Sequence, residues 1–163
     1  LLEKHSSLID KVIVDGASPQ PIKGYRKIIA IIYLMSFLKN TKFVANLLTK
    51  MMKKDRAPVQ DVQHFVADFQ RSKRRSFRRA MSQANLLRLD MQFDNPAFFV
   101  SGGKEAEAIH NWHRRLAQKN TRSECAYYPD KGHAWLFSDV DTHIQLLRYF
   151  FQNAAFPEKL KRF

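Results

Sequence analysis

Three short apolar runs, each ending in turn residues, set the frame of the chain. The first lies in Ile9–Gly16, where Val12, Ile13 and Val14 run into Asp15-Gly16. The second is Pro96–Val100, closed by Ser101-Gly102-Gly103, and the third is Ser123–Tyr128, followed by a turn over Pro129–Gly132. Continuous apolar runs of this length suit strands covered on both faces in a parallel sheet. Ala17–Gly24 holds Ser18, Pro19, Pro21 and Gly24 and reads as a loop.

Between the first two runs the period changes. From Tyr25 to about Asn85 apolar residues recur at helical spacing: Phe43, Leu47, Leu48, Met51 and Met52, then Val59, Val62, Phe65, Val66 and Phe69 after Pro58. Asn40-Thr41 and Asp55–Pro58 are two of the expected breaks, and the stretch as a whole reads as four short helices with no strand. Lys104–Lys119 predicts an amphipathic helix with Ala108, Ile109, Trp112 and Leu116 on one face. Ser138 is the expected cap of a last helix, with Asp139 and Asp141 in its first turn and Val140, Ile144, Leu147 and Phe151 as its buried stripe.

The resulting order is strand, helical insertion, strand, helix, strand, helix. Strand–helix–strand units need right-handed crossovers and hence a parallel sheet, which makes this an α/β chain. Three parallel strands cannot cover both of their faces alone, so further sheet partners are expected. There is no internal repeat.

Composition narrows the class. The chain has 163 residues, 45% hydrophobic and 26% charged, which excludes a disordered polymer, and its 13 Phe imply a large core. The longest apolar run, Ile28–Leu38, is about half the ~20 residues a membrane span requires, so it predicts a buried or groove-lining helix. No charged leader precedes an apolar stretch, so no secretory signal is expected. Position 1 is Leu and Leu1-Leu2 runs into an apparent helix end, the start expected of a chain cut from something longer. The single cysteine, Cys125, excludes an intramolecular disulfide and a cysteine-built metal cage, and fits a reducing, cytoplasmic compartment and a role in strand packing.

The formal charge is +13, and residues 23–80 carry nearly all of it, with 15 Lys/Arg against Asp55, Asp61 and Asp68. Its densest part, Arg71–Arg79, has six basic residues in nine positions. A solvated helix face is the plain reading and an anionic partner the sharper one. Nucleic acid is not expected, because the aromatic interleaving it would use is limited to Phe77.

The segments PAFFVSGGKE and ECAYYPDKGHAW, separated by a helix and followed by another, resemble the end of the α/β-hydrolase fold. In that family the strand before the last commonly ends in Gly-x-x-Asp or Gly-x-x-Glu, and the loop after the last strand carries Gly-His. These fall here on Gly102–Glu105 and on Gly132-His133. HSSLIDKVIVDGASP resembles the helix and strand that follow the family's nucleophile elbow, and residues 25–90 occupy its usual lid position. The resemblance thus implies three parts: residues 1–24 with the strand after the nucleophile segment, a helical lid over 25–90, and core strands and helices over 91–163. It also implies an esterase-like serine hydrolase of a small acyl substrate that needs no cofactor. The Gly-x-Ser-x-Gly elbow is absent, since no serine has glycine on both sides at that spacing. Family order runs serine, acid, histidine, so the nucleophile is expected before Leu1, on the N-terminal half of the same fold.

His133 is the candidate base, because imidazole titrates near neutral pH and the loop can reach a nucleophile. Glu105 is the candidate acid that orients the ring, although a glutamate in a first helical turn, like Glu107, is also favoured by the helix dipole. Asp15, at the end of the first strand, is the substitute acid. Ser18 is a loop residue, since Pro19 opposes a tight strand-to-helix turn. His64, His110, His113 and His143 show no metal-ligand spacing and are expected to be solvated or packed. Ile28, Ile32, Met35, Phe43 and Leu47 could line an acyl pocket or serve as lid core. The alternative to an enzyme is a non-catalytic module that uses the same scaffold to bind an anion through its basic helices.

Overall fold

The computed structural model describes residues 5–21, 23–54, 58–88, 92–133 and 135–163. The expected helix end at Leu1-Leu2 and most of the Asp55–Pro58 break lie outside them. The chain divides into two compact units, residues 1–19 with 89–163, and residues 20–88.

The first unit is a four-stranded sheet in the order β1 (Val12–Asp15), β2 (Ala97–Gly102), β3 (Glu124–Tyr128) and β4 (Lys161–Arg162). β1, β2 and β3 are parallel, with Val14 opposite Phe99 and Val100 opposite Ala126. Every residue of β2 is buried, as its unbroken apolar run requires. Its side chains alternate: Phe98 and Val100 join Trp135, Leu146, Phe150 and Leu160 on one face, while Ala97 and Phe99 meet Leu116 on the other. α5 (Glu107–Lys119) supplies Leu116, and α7 (Val140–Gln152) supplies Leu146 and Phe150, so the two helices cover opposite faces. Cys125 is half-buried at the edge of the α5-side core.

Three details differ from the sequence expectation. β4 adds a short antiparallel strand beside β3, with Tyr127 opposite Lys161. Its sequence is charged, and tertiary contacts hold it: Leu160 is in the core, and Arg162 binds Glu124 and lies over Phe156. The cap of α7 is Asp139, which accepts the Thr142 N–H, while Ser138 ends the one-turn helix α6 (Trp135–Ser138). The buried face of α7 is Thr142, Leu146 and Phe150, and the expected stripe of Val140, Ile144, Leu147 and Phe151 is exposed. The doublets Leu146-Leu147 and Phe150-Phe151 put apolar residues on two adjacent faces, and the sheet selects one.

The second unit consists of α1 (Tyr25–Leu38), α2 (Lys42–Lys54), α3 (Val59–Arg71) and α4 (Arg74–Leu86). α1 packs on α4, and α2 packs on α3. Its core is small: Val44, Leu48 and Phe69, with Met35, Val66 and Phe77 against them. The apolar run of α1 buries Ile32 with Ser36 but leaves Ile31, Leu34 and Phe37 exposed. Of the residues expected to line an acyl pocket or the lid core, Ile32 and Met35 pack inside this unit, whereas Phe43 and Leu47 are on its surface.

Candidate active site

Two turns at the ends of β2 and β3 build the site. After β2 the chain folds back so that Glu105 N–H donates to Gly102 O at 3.0 Å and Gly102 N–H donates to Glu105 Oε1 at 2.9 Å. This turn is clamped to the one after β3: Gly103 N–H donates to Tyr128 O at 2.7 Å, and Lys104 N–H to Lys131 O at 2.8 Å. The approach is so close that a Cβ on Gly102 would lie 2.2 Å from Gly132 O, a space only glycine leaves open. His110, buried on α5, contacts Gly102 O from behind through Nε2 at 3.1 Å.

The clamp brings His133 and Glu105 together, with His133 Nδ1 3.0 Å from Glu105 Oε2. The Glu105 side chain is only 3% exposed, whereas that of His133 is 75% exposed. Glu105 therefore works from inside and the imidazole presents itself outward. Burial alone would raise the Glu105 pKa, but the hydrogen bonds from His133 and from Gly102 N–H outweigh it and hold the carboxyl below its ordinary value. The ionised acid accepts the Nδ1 proton, which fixes the ring as the tautomer whose Nε2 accepts a proton.

Asp15 lies beside this pair without taking over the histidine. Its Oδ1 accepts a hydrogen bond from Trp135 Nε1 at 3.1 Å, and its Oδ2 is buried with no hydrogen-bond partner among the described residues. Burial pushes its pKa from 3.8 to about 6 against the lowering effect of the Trp135 bond, and the Glu105 charge adds to the rise. Of the two candidate acids, Glu105 bonds the imidazole and Asp15 bonds the indole.

Several residues of the site carried no signal in the sequence. Gly16 has φ +56°, and a Cβ there would fall 2.6 Å from His133 Nδ1, so glycine is needed both for backbone and for space. Trp135 is 1% exposed and packs on Tyr128 and His143 while holding Asp15. His113 is fully buried, and its Nε2 contacts Ala17 O at 3.1 Å, tying the loop after β1 to α5. Burial lowers its pKa to about 4, against the raising influence of Ala17 O and Glu105. Only the dipeptide Asp15-Gly16 hinted at any of this. Ser18 is half-buried in the loop after β1. Among the described residues no group of three or more His, Cys, Asp or Glu could hold a metal ion, and no helix is long and apolar enough to cross a membrane.

No protein-family model and no curated protein matches the sequence. Solved structures do match. An alpha/beta hydrolase enzyme from a Medee basin deep-sea metagenome library superposes with a TM-score of 0.69 at 15% identity, over 94% of this chain and 60% of the other. The enol-lactonase from Burkholderia xenovorans gives 0.65 at 14% identity, over 93% and 59%. A thermophilic esterase from Thermogutta terrifontis gives 0.67 at 11% identity, over 92% and 58%. The chain has the α/β-hydrolase fold and corresponds to its C-terminal part. It spans about 60% of the length of these similar structures.

Proposed function

We propose that this chain is the histidine- and acid-bearing part of a serine hydrolase acting on a small ester or related acyl compound. His133 is the general base and Glu105 the acid that orients it. The nucleophilic serine belongs to a segment of the fold outside these 163 residues. The observation that carries the reading is the contact of His133 Nδ1 with the buried Glu105 carboxylate, at the ends of adjacent parallel strands.

In this mechanism the serine hydroxyl attacks the acyl carbonyl as Nε2 of His133 takes its proton. The imidazolium so formed is stabilised by Glu105, whose second oxygen is occupied by Gly102 N–H and cannot swing away. His133 returns the proton to the leaving alkoxide, and water repeats the cycle on the acyl-enzyme. In this reading Asp15 is a structural neighbour and residues 25–90 are the lid. Two further observations favour a missing portion: β1 is an edge strand despite its apolar, parallel character, and α7 exposes Ile144, Leu147 and Phe151.

The chain alone is expected to show no turnover of p-nitrophenyl acetate, since it lacks nucleophile and oxyanion hole. A longer protein that adds a strand and a Gly-x-Ser-x-Gly turn before Leu1 should hydrolyse it. Turnover by the 163-residue chain that disappears in His133→Ala would mean the nucleophile is within it, and the reading would fail.

A further inference from the structure

The basic run lies along one wall of a groove between α1 and α4, with a volume of about 870 Å³. Arg74, Arg75, Arg78 and Arg79 line it from α4, and Tyr33 and Phe37 line it from α1. Arg78 is held in place: its guanidinium lies 4.2 Å from the centre of the Phe37 ring and 4.9 Å from that of Tyr33, and its Nε donates to Ser36 Oγ at 2.6 Å. Arg74 lies over the same Phe37 ring and donates to Phe37 O at 3.3 Å. One turn further on, Ser82 Oγ, also in the lining, is buried with no hydrogen-bond partner among the described residues.

No carboxylate lines this groove. The described acids of the unit, Asp61 and Asp68, are on α3, and Asp68 is paired with Arg71. Four arginines within two turns place like charges at i, i+4 (Arg74 with Arg78, Arg75 with Arg79), each pair destabilising the helix by about 0.2–0.5 kcal/mol. A merely solvated face would disperse these charges or intersperse acids. Here they converge on an aromatic wall with an unpaired hydroxyl.

We propose that the α1–α4 groove is a binding site for a small organic anion in which a phosphate or carboxylate is joined to an aromatic body. The guanidinium forks match the flat, bidentate geometry of either anion, and Phe37 and Tyr33 offer a surface for the ring. The volume suits a small molecule, since ligand pockets run roughly 300–1,000 Å³. A nucleic-acid strand is disfavoured because successive bases need a row of exposed rings, whereas Phe77 is turned inward against Phe69 at 4.8 Å and the groove offers only Phe37 and Tyr33. The site is built within residues 20–88 and does not depend on the catalytic reading.

The test is calorimetric titration of the chain with 1-naphthyl phosphate, inorganic phosphate, 1-naphthol and a short single-stranded oligonucleotide. 1-Naphthyl phosphate should bind at least about tenfold more tightly than phosphate or naphthol alone, because charge and ring are recognised together. Arg75→Gln with Arg79→Gln, both exposed and without packing duty, should weaken it about tenfold or more at unchanged circular dichroism. Arg78→Lys, which keeps the charge but loses fork and stack, should weaken it as well. Equal affinity for phosphate and 1-naphthyl phosphate would overturn the proposal, as would wild-type affinity in the Arg75/Arg79 variant. Tighter, salt-sensitive binding of the oligonucleotide would replace it with a nucleic-acid surface.

Discussion

Glu105 and Asp15 are two carboxyls of one neighbourhood whose surroundings drive them apart. Glu105 is buried but accepts two hydrogen bonds, so it stays ionised, whereas Asp15 is buried with one oxygen unpartnered and holds its proton to about pH 6. In an active longer protein Glu105→Gln should therefore lower kcat by at least ~10²-fold, because the amide no longer stabilises the imidazolium. Asp15→Asn should cost less, and the reverse ordering would move the acid to β1. Asp15 also has a stability signature. The unfolded chain releases this proton near pH 3.8 and the folded chain near 6, so ionisation opposes folding as pH rises through that window. Thermal melts of Asp15→Asn should show a Tm above wild type at pH 7.5 and equal to it at pH 4. An unchanged or lower Tm at pH 7.5 would contradict the raised pKa of this carboxyl. The spacing Gly-x-x-Glu and the Gly-His after a strand made the meeting of Glu105 with His133 legible in the sequence. Gly16 and Trp135 were not, because one acts through the space it leaves and the other through a hydrogen bond to a residue 120 positions away.

Elements were legible where one period dominated. β2 has a single apolar run and is buried throughout, and α5 buries Ile109 and Leu116 of its expected face, with His110 and His113 beside them while Ala108 and Trp112 are half-buried. The face of α7 was not legible, because adjacent apolar doublets give two stripes about 100° apart and only packing against Phe98 and Val100 distinguishes them. The two leucines of one doublet make the difference measurable. Leu146→Ala empties a fully buried site and should cost about 2–5 kcal/mol in urea unfolding. Leu147→Ala, at 36% exposure, should cost less than about 1 kcal/mol. Equal costs would mean that the exposed stripe is covered. Charged β4 escaped sequence reading for a related reason: its pairing follows from anchors at Leu160 and Arg162, not from any strand pattern.

At the scale of the whole molecule, acid stability should carry the mark of a neutral buried histidine. His113 has its folded pKa lowered from 6.5 to about 4 by burial, so the unfolded state binds the extra proton between those values and the fold loses stability as pH falls through them. Asp15 titrates with the opposite sign between about 6 and 3.8 and offsets part of that loss. His113→Gln should flatten the fall of Tm between pH 6.5 and 4 whatever its effect at pH 7.5, and an unaltered slope would assign acid sensitivity elsewhere. The same histidine links α5 to the loop after β1 through Ala17 O. The central claim is that His133 is the base of a hydrolase whose serine lies outside these residues. Its most direct test is kcat for p-nitrophenyl acetate in the longer protein bearing the nucleophile, wild type against His133→Ala, with circular dichroism on both. The expected result is a loss of at least ~10³-fold with an unchanged spectrum, since removing one triad member leaves only the oxyanion and binding contributions. A loss below about tenfold in a folded variant would contradict the account, because general base catalysis alone contributes roughly 10²–10⁴-fold.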